Sequence, residues 1–344
     1  MKHIQNTLYI TQDGCYLHKD GDSIVVRQEH QKIGQFPILA IGDIVCFGFG
    51  IGVSAALSEH CAGEGVTITY LTGTGRFLAR MVGPVHGNVL LRRQQYRTAD
   101  SEPKCMDIAK CCVAAKVLNS RGTLQRFLRN HGDSQHSETV NSAVESLARI
   151  HRKVEKAPAP DILLGIEGEA ASTYFGVFDC LLTNPDPLLR FSGRNRRPPL
   201  DRANALLSFA YALLSLDMRS ALESVGLDPY VGFLHVERPG RPSLALDLVE
   251  EFRSPFADRL VLSLINTRQV DSSGFKVHAS GEVEMSIETR KTFLAAYQKR
   301  KRESIRHPFL DEEMEVGLAF LAQARLLARY VRGDLDLYPA FLWR

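Results

Sequence analysis

The sequence contains no C-x-x-C pair. Its seven cysteines (Cys15, Cys46, Cys61, Cys105, Cys111, Cys112 and Cys180) are odd in number and irregularly spaced, which leaves no basis for a disulfide framework or a zinc ribbon. Cys111-Cys112 lie in an apolar, helical stretch and read as small buried thiols of a reduced, cytoplasmic protein. No unbroken apolar run approaches the ~18–20 residues that span a bilayer, so no membrane partner is expected. The opening Met1-Lys2-His3-Ile4-Gln5-Asn6 lacks the apolar core of a secretory signal. Nucleotide-cradle and hydrolase signatures are missing as well: there is no G-x-x-x-x-G-K-[ST], G-x-S-x-G or H-E-x-x-H. Gly48, Gly50 and Gly52 follow G-x-G-x-G spacing, which suits close backbone packing better than a dinucleotide loop. Charge of one sign is not in excess either, with 42 Lys+Arg against 39 Asp+Glu and a net +3.

What is present is an ordinary globular composition over 344 residues, enough for two domains. Short β-branched or aromatic runs at 7–10, 16–18, 24–27, 36–38, 43–47, 66–71 and 77–82 predict strands, with a short helix near 54–62. Beyond about Asn88 the apolar period becomes 3.6 and helices dominate. They are expected at 140–154, 161–182 (Asp161 as N-cap), 201–226, 243–252, 289–301 and 311–332, with a hairpin joining 275–278 to 283–287 across Ser280-Gly281. The fold class is therefore α+β, with a small N-terminal β-rich domain over 1–87 and a larger, mostly α-helical domain over 88–344.

The charges are unevenly spread. Between Arg76 and Gly132 eleven Lys/Arg face three Asp/Glu, and knots follow at 190–202 and 299–306. Each knot alone reads as a solvated face, but three in a near-neutral chain favour a polyanion path. Arg76, Arg80, Arg92, Arg93, Arg194, Arg196 and Arg197 are the candidate contacts to that polyanion, which the family resemblance given below implies is DNA. The acidic run 311–315 would meet a basic partner or begin a helix.

Three segments put acids and a histidine where apolar packing is expected. Glu167 projects beside the helical stripe 163/166/170/174 among Gly168, Ala170 and Ala171, whereas Glu169 points to solvent. Asp247, Glu250 and Arg253 recur at i,i+3 on one face, amid Leu244, Leu246, Leu248 and Val249. His235 sits in the apolar run Tyr230–Val236. Ordinary roles are open to each: a snorkelling acid, a surface ion pair, a satisfied core imidazole. Together, oxygen ligands with one imidazole suit Mg²⁺ or Mn²⁺ better than zinc, with Arg253 as a phosphate clamp.

These segments resemble the CRISPR-associated integrase/endonuclease family of spacer acquisition. Gly165-Ile166-Glu167-Gly168-x-Ala170-Ala171 resembles its first motif, Gly232-Phe233-Leu234-His235 its second, and Leu246-Asp247-Leu248-Val249-Glu250-Glu251-Phe252-Arg253 its third. Both ends of the chain look like the subtype I-C branch. The resemblance implies Glu167, His235 and Glu250 as metal ligands, Asp247 as an adjacent catalytic acid and Arg253 near the scissile phosphate. It also implies a homodimer formed by the β-rich domain, a small CRISPR adaptation partner protein, and double-stranded DNA as substrate. The implied reaction is attack of a spacer 3′-hydroxyl on a phosphodiester at the repeat edge. A structure-specific repair nuclease and a non-catalytic DNA scaffold are the competing readings.

Overall fold

The computed structural model describes residues 6–73, 75–84, 89–195 and 198–343. The chain divides into two compact units, Met1–His86 with Arg290–Lys301, and Gly87–Thr289 with Arg302–Arg344. Where the sequence suggests a single boundary at 87/88, the chain crosses between the units three times, because a late helix joins the first unit. Residues 85–88 of the expected linker lie outside the described residues.

The first unit holds strands β1 (Asn6–Ile10), β2 (Cys15–Asp20), β3 (Ser23–Gln28), β4 (Gln31–Pro37), β5 (Ile41–Phe47), β6 (Gly52–Val53), β7 (Thr67–Leu71) and β8 (Phe77–Met81), with helix α1 (Ala55–Glu64) between β6 and β7. One sheet runs β1-β5-β7-β8, parallel except for β8; the other runs β4-β3-β2-β6, with β2 and β6 parallel. Asp20 pairs with Ser23, so a two-residue loop turns the chain, and Gly21 supplies its φ of 54°. Ser54 caps α1 by accepting from the Leu57 N–H, and Gly65 ends it in the left-handed region. Leu8, Leu17, Ile24, Ile44, Leu57 and Ile68 close a shared core in which Cys15, Cys46 and Cys61 are packed as small apolar groups. Burial pushes the Cys46 thiol up to about 12, which makes it a poor nucleophile.

The second unit begins with α2 (Val89–Ala99), α3 (Glu102–Asn130), α4 (Ser137–Glu155), α5 (Pro160–Gly176) and α6 (Arg202–Ser224). It continues with α7 (Ser243–Val249), α8 (Arg259–Asn266) and the hairpin of β9 (Phe275–Val277) and β10 (Val283–Met285). Helix α9 (Ile287–Lys301) comes next in the chain and belongs from Arg290 onward to the first unit; β11 (Ser304–Arg306), β12 (Glu313–Glu315) and α10 (Val316–Arg332) complete the second. The stripe Val140, Val144, Leu147, Ile150 and Val154 of α4 is buried as its period predicts. Helix α6 is long and apolar enough to cross a membrane by composition, but Leu206, Phe209, Ala210, Leu213 and Leu214 are buried inside the unit.

Three expected helices differ in extent. Helix α5 starts at Pro160, a residue suited to the first helical position, which leaves Asp161 in the first turn and not at the cap. It stops at Gly176, and a 3₁₀ turn over Phe178–Leu181 carries Phe178 into an aromatic cluster with Tyr174, Phe175 and Phe191. Helix α7 is only seven residues long, and a π-helical turn over Arg253–Asp258 follows it. The acidic run 311–315 does not start α10. Arg306 clamps Asp311 at 2.6 and 2.8 Å, Arg306 pairs with Glu313 in the β11–β12 hairpin, and the helix begins at Val316.

Asp201 caps α6, with Oδ1 accepting from the Asn204 N–H at 2.7 Å and Oδ2 from the Asn204 amide at 2.6 Å. Replacing Asp201 with Ala should lower stability by about 1–2 kcal/mol, read by thermal or denaturant unfolding. An unchanged midpoint would remove the cap from this account.

Candidate active site

Asp247 on α7 is fully buried, and its carboxylate organises the segment before it. Oδ2 accepts from the backbone N–H groups of Phe233 (2.6 Å) and Leu234 (3.0 Å), and Oδ1 from that of His235 (3.0 Å). The His235 Nδ1 lies 2.7 Å from the same Oδ1. Nδ1 therefore carries the proton and donates it, which leaves Nε2 as a lone pair. That Nε2 faces Glu250, 3.9 Å from Oε1. The chain can wrap so closely only because residue 232 is glycine: a Cβ there would sit 2.8 Å from Asp247 Oδ2 and from Ser243 Cβ.

Glu250 follows α7 with its side chain 2 % exposed. Arg253 approaches Oε1 at 3.2 Å and the Lys116 ammonium, from α3, approaches Oε2 at 2.8 Å. Lys116 also pairs with Oε1 of Glu167 from α5, so one ammonium bridges two carboxylates. Burial alone would push the Glu250 carboxyl up, but the Arg253 and Lys116 charges outweigh it and hold it at about 2. The neighbouring Glu251 is equally buried, but no cation among the described residues pairs with it. Burial pushes it up to about 7, against hydrogen bonds from Tyr338, the Phe341 N–H (2.7 Å) and Gln323 (2.8 Å). Asn119 on α3 completes this strap, donating to the carbonyls of Glu251 (2.7 Å) and Phe341 (2.8 Å) and accepting from the Trp343 N–H (2.9 Å).

Beside the acids opens a cavity of about 400 Å³ whose wall includes Lys116, Tyr174, Arg194, Tyr211, Arg253 and Asp258. The π-helical turn widens the helix and brings Arg253, Ser254 and Asp258 to this wall. The Tyr211 ring lies 5.2 Å from the Arg194 guanidinium and 4.9 Å from that of Arg253. Its hydroxyl donates to Asp258, whose carboxyl burial pushes up to about 6.

The sequence profile described as CRISPR associated protein Cas1 matches residues 8–299. The chain belongs to the Cas1 family. It is 51 % identical over 344 residues to the CRISPR-associated endonuclease Cas1 1 of Chlorobaculum tepidum, covering all of both chains. Its fold is similar to that of a Cas1 protein from Thermotoga maritima, with a TM-score of 0.82 at 25 % identity over 96 % of this chain and 98 % of the other. The fold also occurs in a Cas6-RT-Cas1–Cas2 complex, with a TM-score of 0.82 at 21 % identity over all of this chain and 36 % of that one. The fold class expected from the sequence is thus that of known Cas1 structures.

Within this Cas1 chain the donor set fits a hard divalent cation. Glu250 Oε2 is buried with no hydrogen bond directed at it, although an ammonium lies 2.8 Å away. Glu167 lies across the Lys116 ammonium from it, and Nε2 of His235 faces the other oxygen of the Glu250 carboxylate, Oε1, at 3.9 Å. Among the described residues no three acidic, His or Cys side chains are drawn into a closed cage; Lys116 stands between Glu167 and Glu250 instead.

The structure brings Glu167, His235, Asp247, Glu250 and Arg253 together. Asp247, expected as an adjacent catalytic acid, has both oxygens occupied by donors and no exposure, and in this structure it holds the 233–235 loop and the His235 ring in place. Glu169 is at the surface, paired with Lys153 at 2.8 Å. Arg194 is held in the cavity wall by Asn204 at 2.7 Å, and Arg92 donates to the Gly226 carbonyl at 3.2 Å. Arg93 is exposed. Arg76, exposed, and Arg80, half-buried, belong to the first unit. Arg196 and Arg197 lie outside the described residues. Lys116 is hidden, in the sequence, among the eleven basic residues of 76–132. Its signal is a lysine on the buried stripe that includes Cys112, Asn119, Ser120 and Thr123 of α3.

Two outcomes follow from this geometry. In Asp247→Asn an amide NH₂ must face one of the loop N–H groups, at a cost of about 1–3 kcal/mol. Amide hydrogen exchange at residues 233–235 should quicken about tenfold or more, and unchanged exchange would refute the positioning role. For Asp258 the folded value of about 6 exceeds the ordinary 3.8, so its stabilising share is full below pH 3.8 and is lost as pH rises through about 6. Asp258→Asn should therefore gain Tm relative to the parent between about pH 4 and pH 7, by at most about 3 kcal/mol of stability. Arg194, Arg253, Tyr174 and Tyr211 face it in both proteins, so the difference isolates this carboxyl.

Proposed function

We propose that this Cas1 chain is a metal-dependent DNA endonuclease and integrase that inserts short foreign duplexes into a CRISPR array. The observation that carries the reading is the convergence of Glu167, Glu250 and the free Nε2 of His235 beside a cavity walled by Arg194 and Arg253. Glu167, His235 and Glu250 would hold Mg²⁺ or Mn²⁺, which supplies charge stabilisation at the phosphoryl group when bound. Asp247 keeps the imidazole tautomer that leaves Nε2 free. Arg253 neutralises the charge that grows on the phosphoryl oxygens. A bond forms between the attacking spacer 3′-oxygen and phosphorus at the repeat edge, and the bond to the displaced repeat 3′-oxygen breaks. Water in place of the 3′-hydroxyl yields hydrolysis at the same centre.

The small domain over 1–87 would form a homodimer and meet the small adaptation partner, Cas2. Arg76, Arg80 and Arg93, together with Arg196 and Arg197, would track DNA phosphates. The terminal segments support membership of the subtype I-C branch. Glu167→Ala and His235→Ala should lower covalent joining of a short duplex to a supercoiled CRISPR plasmid by about 100-fold or more, with Cas2 present. DNA affinity should stay within about threefold. Unimpaired joining by purified His235→Ala would sink the reading, and shortened DNA without any joined product would favour a nuclease alone.

A further inference from the structure

The Lys116 ammonium occupies the gap between two of the proposed ligands, Glu167 and Glu250. It pairs with Oε1 of Glu167 and lies 2.8 Å from Oε2 of Glu250, off the direction of a hydrogen bond. That is the contact of a point charge between two anions, and it joins α3 to α5 and to the turn after α7. Without a cation there, two carboxylates, one of them fully buried, would repel across a poorly solvated gap. An ammonium and a divalent ion cannot share the gap, because like charges at such separation repel by several kcal/mol even at an effective dielectric near 20. Lys116 also lines the adjoining cavity, beside Arg253, Arg194 and Tyr211. Its four-carbon stem lets the charged head turn while the stem stays packed.

We propose that Lys116 is an internal counter-cation that holds Glu167 and Glu250 together until a divalent ion takes the gap, and that its ammonium then turns into the cavity and meets a DNA phosphate. The proposal rests on the metal site described above and adds a linkage: one side chain makes metal binding and DNA binding favour each other. The lysine lowers metal affinity in the resting protein, since the ion must displace it. It raises DNA affinity once displaced, because a third cation then faces the cavity.

Three measurements on the full chain test this without using strand joining. In the unaltered protein, acylation of the Lys116 amine, followed by mass spectrometry, should rise about threefold or more on adding Mn²⁺ as the ammonium leaves its ion pair. Lys116→Met, which keeps the length and loses the charge, should bind Mn²⁺ about tenfold or more tightly by calorimetry. The gain in affinity for a labelled short duplex that Mn²⁺ gives the unaltered protein should disappear in Lys116→Met. Labelling unaffected by Mn²⁺, Mn²⁺ binding no tighter in the variant, or a retained metal-linked gain in DNA affinity would each overturn the proposal. The labelling arm decides the matter even where Lys116→Met fails to fold. A protein that passes all three but joins no DNA would refute the integrase reading and leave the counter-cation in place.

Discussion

Three carboxylates buried along α7 and the turn after it govern the architecture of the second unit. Each would be costly to bury alone, by several kcal/mol, and each is satisfied in a different way. Asp247 is met by backbone N–H groups and an imidazole, Glu250 by cations, and Glu251 by neutral donors of the C-terminal segment. These solutions recruit the 232–235 loop, the middle of α3 with the π-helical turn, and α10 with the residues after it. Only Glu250 keeps an oxygen to which no hydrogen bond is directed, and it is the one facing Glu167 and His235.

The π-helical turn is the second determinant. A continuous α-helix from 243 to 266 would bury or misdirect at least one of Arg253 and Asp258; the wider turn, where Phe252 accepts from Phe256 and Ala257, sends both to the cavity wall. Pro255 lies within it and needs no donor satisfied. Phe252 and Phe256 anchor the turn on Phe320, with ring centroids 4.9 and 5.4 Å apart, so the irregular backbone rests on a close-packed aromatic floor. Positioned charges of this kind stabilise a developing anion without having to reorganise.

Much of this is legible in the residues. The stripe of α4, the strand punctuation of the first unit and the i,i+3 row of Asp247, Glu250 and Arg253 follow from spacing, since local geometry repeats at fixed intervals. Lys116 is legible only as a lysine on the buried stripe of α3; that it meets two carboxylates is settled by the placement of α5 and α7 against α3. The hydrogen bonds of Asp247 are hidden for a related reason: whether a carboxylate meets backbone donors depends on a loop twelve residues away. The β11–β12 hairpin is masked because Asp311–Glu315 carries a helix-start composition, and Arg306 overrides it through tertiary pairing. The transfer of 290–301 to the first unit is a long-range packing choice with no local signature.

The strap formed by Tyr338 and Phe341 on Glu251 has a consequence in time. Ribosomes deliver the chain from its N-terminus, so α3, α5 and α7 emerge long before the residues that satisfy Glu251. The carboxylate adjoining Glu250 lacks its donors until residue 341 has cleared the exit tunnel. A nascent chain therefore carries Asp247, Glu250 and Glu251 before the segment that satisfies Glu251 can dock.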